Sequence, residues 1–177
     1  MTFPQHAVQV LLIAIFTVSA SGKARDPGSF ARSLEALRVV PRAAVLPVAW
    51  AVVLAEGVTA VLLGASFARA WLAPYGLVLA AALLAVLTAG LVVALRSGRR
   101  ARCHCFGRSG AVVGRRHVVR NLLLAAAALA VAPGEPAGFA PTGWFALAVL
   151  AGLAAAVLVI AMDDIVSLVT PVTGAGR

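Results

Sequence analysis

Long apolar runs separated by short polar segments dominate the hydrophobicity pattern of this chain. A helix needs about 20 consecutive apolar residues to cross a hydrocarbon core roughly 30 Å thick. Five segments come close to that length, with Asp163 and Asp164 expected to end the last one: 6–22, 43–66, 71–95, 117–132 and 143–162. The pattern therefore predicts an all-α, polytopic membrane helical bundle. Because 1–9 contains no Lys or Arg, the first segment is expected to be a helix of the bundle and not a cleaved signal peptide.

The composition supports a membrane protein. Hydrophobic residues make up 62% of the 177 residues and charged residues 12%, and the mean hydropathy is +1.01. Soluble domains are about 25% charged, so this chain has too few charged residues to cover a soluble surface. A disordered chain, a collagen-like repeat and a disulfide-stapled secreted module are excluded as well, since the chain is apolar and has two Cys.

The net charge of +9 comes from basic residues whose positions indicate the orientation of the chain in the membrane. In a soluble domain such a charge would suggest nucleic acid as a partner. Here the basic residues lie between apolar spans, so the expected partner is the lipid bilayer and not nucleic acid. With five spans, all Lys and Arg except Arg69 lie on one side, in 23–42, 96–120 and the C-terminus. The positive-inside rule makes that side cytoplasmic.

A short amphipathic helix is predicted between spans one and two. Asp26 suits the N-cap and Pro27 the first helical position, while the residue before Pro41 is disfavoured in helical geometry. Three apolar residues share one face of this helix at spacings of four and three: Phe30, Leu34 and Leu37. The pattern is typical of a helix that lies on the membrane surface, at about 27–40.

Small residues recur at four-residue spacing inside the spans. The pairs are Ala60 and Gly64, Gly90 and Ala94, and Gly152 and Ala156. Such pairs allow two helix backbones to approach closely, so they are candidate helix–helix contacts.

The loop after span three contains both cysteines of the chain, in the sequence Cys103-His104-Cys105. Residues i and i+2 are close enough in space to form a small, strained disulfide, and strained disulfides are the labile, redox-active kind. Nearby positive charge favours the nucleophilic thiolate, and four arginines surround the pair: Arg99, Arg100, Arg102 and Arg108. Cys103 and Cys105 are therefore candidate catalytic thiols, with His104 as a candidate proton carrier.

Two other interpretations of this loop stay open. The first is a soft-metal site formed by Cys103, Cys105, His104 and His117, although the thiols lack the usual spacer of two to four residues. The second is a pair of unrelated thiols at the membrane interface, in a protein that acts only as a structural assembly partner.

Glu56 lies well inside span two, where an ionised acid is costly and needs a partner. Basic candidates are Lys23, at the end of span one, and Arg120, at the start of span four, with Asn121 beside it. If span two begins at Ala43, Glu56 lies about 20 Å along it, so a long partner side chain would have to reach inward. A rival interpretation is a metal-binding or transport protein in which Glu56 lines a path through the bundle.

These features together resemble a known family, the methylamine utilisation protein MauE family of DoxX-like redox-associated membrane proteins. The resemblance covers about residues 5–132 and includes Ser21-Gly22-Lys23, Asp26-Pro27 and Glu56. Its most specific part is Cys103-His104-Cys105-Phe106-Gly107 followed by Arg120-Asn121. It implies a four-helix core at 1–132, with the surface helix and a Cys-x-Cys loop at 96–116. The hydrophobicity pattern adds a fifth transmembrane helix with a short tail at 133–177, outside the resemblance.

The resemblance also implies a function. Proteins of this family are implicated in maturing the disulfide-rich small subunit of methylamine dehydrogenase alongside a thioredoxin-like partner. The helical arrangement is similar to that of vitamin K epoxide reductase, which would imply a quinone, although the sequence itself assigns no cofactor. This chain departs from that enzyme in having Cys-x-Cys in place of Cys-x-x-Cys, and no cysteine in 23–42.

The implied function and the charge pattern disagree about orientation in the cell membrane. Disulfide formation on an exported subunit requires the Cys103–Cys105 loop on the outer face. The basic loops point it to the cytoplasm, where it would accept electrons from a thioredoxin-like donor.

Overall fold

The computed structural model describes residues 2–38, 40–97, 102–103, 111–112, 114–133 and 142–169. Within these residues there are six α-helices: α1 Phe3–Arg25, α2 Pro27–Leu37, α3 Val45–Ala65, α4 Ala73–Arg96, α5 Arg115–Val131 and α6 Thr142–Val169. Two short 3₁₀ turns, Arg42–Ala44 and Ala70–Leu72, precede α3 and α4. A two-stranded antiparallel ladder joins β1 Arg102–Cys103 to β2 Ala111–Val112.

Four helices form the core of the bundle. α1 packs against α3 and α5, and α4 packs against α5 and α3, so the four close into a ring, with α6 packed on the outside of α1. Leucine, alanine, isoleucine and phenylalanine side chains of α1, α3, α4 and α5 fill its centre. The predicted four-helix core with a fifth long helix is confirmed.

The length and composition of the helices make this a multi-pass membrane protein. Phe3–Arg25, Arg42–Ala65, Ala70–Arg96 and Gly143–Met162 are each long and apolar enough to cross a bilayer. α5 is shorter, at 17 residues, and starts with Arg115 and Arg116, as expected for the shortest predicted span. The bounds of α3, α4 and α5 agree with the sequence prediction to within two residues. α1 extends three residues beyond the predicted 6–22 at each end, and α2 ends at Leu37 instead of near 40. The apolar part of α6 ends at Met162 while its helical backbone continues through Asp163 and Asp164 to Val169.

Gly152 explains the close approach of α6 to α1. A Cβ atom at this position would lie 2.6 Å from the carbonyl oxygen of Ala7 and 2.8 Å from Cβ of Val10. Ala156, one turn later, is buried, so the predicted small-residue contact is confirmed for this pair. The expectation was wrong for Gly64 and Gly90, where an added Cβ would meet nothing within 4 Å.

α2 begins as the sequence predicted and packs differently. The Asp26 side chain accepts a hydrogen bond from the Ser29 backbone N–H at 2.8 Å, with Pro27 in the first turn, and the helix stops where Arg38 adopts the left-handed conformation at φ 48°. Its apolar face packs against protein, since Phe30 and Leu37 are buried. The sequence pattern alone could not distinguish a face turned to lipid from a face turned to the bundle.

Candidate functional site

A buried ion pair joins α1 to α3. Lys23 Nζ in the last turn of α1 donates a hydrogen bond to Glu56 Oε1 in the middle of α3. Ser19 Oγ donates to the same oxygen at 3.0 Å and accepts from Lys23 Nζ at 2.8 Å. Glu56 is 1% exposed and Lys23 3%. The predicted contact between Glu56 and a basic group of span one is therefore confirmed.

The depth of Glu56 is no obstacle to this pair, because the last two turns of α1 run beside it. α3 begins at Val45, so Glu56 lies eleven residues along it, or about 16 Å. Ser19 has a short side chain and still reaches the carboxylate, which places the α1 backbone beside it. Lys23 lies one turn nearer the end of α1 than Ser19, so its long side chain extends back along the helix to reach Glu56, as expected.

α2 contributes an aromatic ring to the same cluster. Lys23 Nζ lies 5.0 Å from the centroid of the Phe30 ring, within the distance at which a cation is attracted to the ring face. Lys23 thus contacts groups from α1, α2 and α3.

One oxygen of the carboxylate is left over. Both hydrogen bonds to Glu56 end on Oε1, while Oε2 is buried and has no hydrogen-bond partner in the part of the chain that the structure describes. A buried acceptor without a donor is unfavourable by about 1–3 kcal/mol, and more for a charged group. The site therefore has an acceptor that a bound molecule could use.

A cavity of about 260 Å³ lies beside this pair, between α1, α3, α4 and α5, with α2 closing one side. Most of its wall is apolar and comes from side chains of α1 to α4, such as Phe16, Leu34, Val52 and Leu87. Its polar wall is formed by six side chains from α1, α3 and α5: Ser19, Lys23, Glu56, His117, Arg120 and Asn121. The structure thus brings five predicted residues, all of these except Ser19, to one cavity.

The first turns of α5 supply three of the polar side chains. His117, Arg120 and Asn121 are all buried. His117 Nδ1 accepts a hydrogen bond from the Gly114 backbone N–H at 3.3 Å, which fixes the ring at the start of the helix. Arg120 Nε donates to Asn121 Oδ1 at 3.4 Å.

The Cys-x-Cys loop meets this end of the bundle through β1. Arg102 pairs with Val112 and Cys103 with Ala111 in the antiparallel ladder, and β1 contacts α2. The predicted thiol pair itself cannot be placed further, because His104 and Cys105 lie outside the described residues and Cys103 is described by its backbone.

The comparison with protein families agrees with the motifs on these elements. Residues 1–134 match the family model described as methylamine utilisation protein MauE. The chain belongs to the MauE family. The match covers the four-helix core, the Lys23–Glu56 pair, the Cys-x-Cys loop and α5, and it links this membrane protein to methylamine utilisation. Searches of curated proteins and of solved structures find no match.

Among the described residues no group of three or more His, Cys, Asp or Glu is placed to hold a metal ion. Three of the four residues of the alternative metal set, Cys103, His104 and Cys105, have side chains outside the described part of the chain, so that interpretation remains a prediction.

Sequence reasoning about this MauE-family chain missed two contributors to the site. Ser19 lies one turn before Lys23, and a hydroxyl on the same face of an apolar helix is a detectable signal for interhelical hydrogen bonding. Phe30 was assigned to a lipid-facing surface, and no feature of the sequence indicates that its ring covers Lys23.

Proposed function

We propose that this chain exchanges thiols and disulfides with a partner protein through Cys103 and Cys105, and that it thereby assists maturation of an oxidoreductase of methylamine metabolism. One observation carries the proposal. The β1 strand that includes Cys103 contacts α2, and α2 also closes the cavity that contains the Lys23–Glu56 pair. The backbone of Cys103 in β1 and the buried polar cluster therefore both adjoin α2 in this MauE-family bundle, which supports the proposal.

The chemistry expected of the pair is thiol–disulfide exchange. The thiolate of one cysteine attacks a disulfide of the partner, so that a mixed disulfide forms and one partner thiolate leaves. The second cysteine attacks the mixed disulfide, which releases the second partner thiol and closes the Cys103–Cys105 bond. The partner disulfide gains two electrons and two protons, and the two cysteines lose them.

The same steps in reverse transfer a disulfide to a client. Two client thiols reduce the Cys103–Cys105 bond, and the client becomes oxidised. A thioredoxin-like protein on one side of the cycle and a client oxidoreductase subunit on the other are sufficient partners. The quinone implied by the resemblance to vitamin K epoxide reductase is not needed, because each exchange balances between thiols alone.

The neighbouring residues have supporting roles in this proposal. His104 transfers a proton to or from the leaving thiol. Arginines of the loop favour the thiolate form. Lys23 and Glu56 tie α1 to α3 beside α2, and α2 also contacts β1. Arg120 and Asn121 form the adjoining wall, and together these residues hold this end of the bundle in place.

Trapping of the mixed disulfide tests the proposal. With one cysteine replaced, the attacking thiol can form a mixed disulfide that nothing resolves. We expect either Cys103→Ser or Cys105→Ser, expressed as the full chain in cells that make the client, to accumulate a covalent complex that a reductant dissolves. The double variant should accumulate none and should fail to support maturation.

Three outcomes contradict the proposal. If neither single variant traps a protein and the double variant supports full maturation, the thiols have no role in exchange. Stoichiometric zinc or copper that disappears in the double variant would favour the soft-metal site. Labelling of the thiols from each side of sealed membranes gives their orientation, and a trapped partner that resides on the opposite side would also contradict exchange.

A further inference from the structure

The cavity beside Glu56 combines an apolar wall with one unsatisfied acceptor. Its walls are mainly aliphatic and aromatic side chains, and Glu56 Oε2 is the buried acceptor that no described group bonds. Apolar pockets with a few polar groups at one end are the usual form of a small-molecule site. The polar groups of such a site set which end of the molecule enters.

α3 and α4 are close at one end and separated at the other. Near their connecting turn, a Cβ atom at Gly76 would lie 2.8 Å from Leu63 Cδ2, while near the cavity a Cβ atom at Gly90 would meet nothing within 4 Å. The cavity extends outward to Val86, which is 69% exposed. Because α3 and α4 are membrane-spanning helices, this opening faces the lipid and admits molecules dissolved in it.

The carboxylate selects a hydrogen-bond donor. Ser19 and Lys23 both bond Oε1, so a molecule in the cavity meets Oε2, which in an ionised carboxylate only accepts. A cavity of about 150 Å³ lined by apolar side chains holds benzene, and this one is about 260 Å³. One substituted ring, or a comparable length of alkyl chain, fits beside the acceptor.

We propose that the cavity binds a membrane-soluble molecule with an apolar body and a hydroxyl head, which donates its hydrogen bond to Glu56 Oε2. The chemistry is shared by two sources, phenolic rings and long-chain aliphatic alcohols. This site does not involve Cys103 or Cys105, so it stands independently of thiol exchange.

Binding of a matched pair of probes tests the proposal. 4-Nonylphenol has a hydroxyl donor, and its methyl ether, 4-nonylanisole, has the same ring and chain with an acceptor only. We expect saturable binding of radiolabelled 4-nonylphenol to the full chain in lipid nanodiscs, after subtraction of empty nanodiscs. The ether should bind at least about tenfold more weakly, as expected for loss of a hydrogen bond to a charged group. 1-Dodecanol is the third probe, and its rank against the phenol decides between the aliphatic and the aromatic source.

Glu56→Gln should remove this preference for a donor. Lys23 and Ser19 both donate at the Oε1 position, so the amide oxygen must occupy it and the NH₂ group must take the place of Oε2. That group donates hydrogen bonds. We therefore expect the variant to bind the ether at least as well as the phenol.

A second pair of variants keeps the test valid if Glu56→Gln does not fold. Gly90→Val adds a side chain inside the cavity, at a position where a Cβ meets nothing within 4 Å, and should abolish binding of the phenol. Gly64→Val adds the same side chain on an exposed part of α3, also with open space at Cβ, and should bind like the original chain. The chain with Cys103→Ser and Cys105→Ser should bind unchanged.

Four results would overturn the proposal. They are equal binding of phenol and ether by the original chain, an unaltered preference in folded Glu56→Gln, full binding by Gly90→Val, and absence of saturable binding of any probe. The last result would mean that water alone satisfies Oε2.

Discussion

The two ends of α1 bury polar side chains of different kinds. At the N-terminal end, Gln5 and Gln9 are 1% and 0% exposed, and Gln9 Nε2 donates to Ser66 Oγ at 3.2 Å. These groups are neutral. At the C-terminal end the buried groups are Lys23 and Glu56, an ion pair of opposite charges.

The surroundings of the two ends differ as much as their charge. At the N-terminal end, the His6 ring stacks on Phe67 with 5.9 Å between centroids and meets the edge of Phe145 at 5.3 Å. α3 and α4 also approach each other closely there, at Leu63 and Gly76. At the other end a cavity of about 260 Å³ adjoins the ion pair.

Buried polar side chains thus have two different roles at the two ends of this membrane bundle. Amides and hydroxyls with aromatic rings packed around them hold helices together, at about 0.6 kcal/mol per hydrogen bond. A charged pair is expensive to bury, and ionisable residues inside membrane spans usually mark functional sites, here with space for a ligand beside the pair. The buried polar residues of α1 thus divide into two groups. Gln5 and Gln9 form a packing cluster, whereas Lys23, paired with Glu56, belongs to a candidate site because a cavity adjoins it.

Among changes at the two ends of α1, truncation of Glu56 should have the largest effect on the free energy of unfolding. Glu56→Ala leaves the Lys23 ammonium buried without its carboxylate, and breaking a buried pair in this way lowers the free energy of unfolding by about 3–5 kcal/mol. The measurement is the unfolding free energy in mixed micelles with increasing denaturing detergent.

The matched control replaces both charges with apolar side chains of similar size. Lys23→Met combined with Glu56→Leu removes both charges of the pair together, and such replacements are often neutral or stabilising. We expect the double variant to be at least as stable as the original chain. A double variant as unstable as Glu56→Ala would mean that the ion pair itself stabilises the bundle.

Much of the fold was predictable from the sequence because it depends on local properties. Apolar length predicted the helices, and Asp26 with Pro27 predicted the start of α2. The partner of Glu56 was predictable as well, because a short acid deep in a span requires a donor, and few basic residues lie at the ends of the other spans to supply one.

The cavity was not predictable, because it depends on how far apart packed helices lie. Gly76, Gly90 and Gly152 all interrupt apolar helices, yet only the packing distinguishes the two that meet a neighbouring helix from the one that borders the cavity. The inward orientation of the apolar face of α2 was unpredictable for the same reason, because it also depends on how the helices pack. Phe30 has the same sequence pattern whether it meets lipid or Lys23.

Alanine at two glycines of α4 should sharpen the contrast between the closed and open ends of the bundle. Gly76→Ala places a methyl group against the buried Leu63 side chain, and such overpacking lowers the free energy of unfolding by about 1–3 kcal/mol. Gly90→Ala meets nothing within 4 Å, so the higher helix propensity of alanine raises it by about 0.5–1 kcal/mol. Equal effects in the same detergent titration would contradict the difference in helix spacing.

The smallest effect is expected from the packing cluster at the N-terminal end of α1. Gln9→Leu removes one neutral hydrogen bond to Ser66, while Ser66 Oγ keeps its bond to the Leu63 carbonyl at 2.6 Å. It also removes Gln9 Oε1, a buried acceptor without a hydrogen-bond partner among the described residues, so the two changes offset each other.

We therefore expect Gln9→Leu to change the free energy of unfolding by less than about 1 kcal/mol. Ser19→Ala at the other end removes a hydrogen bond to the charged Glu56 and should lower it by about 1.5–3 kcal/mol. Both values come from one detergent titration. A loss for Gln9→Leu as large as that for Ser19→Ala would show that the neutral end is as demanding as the charged one, and the division of α1 into a packing cluster and a candidate site would then fail.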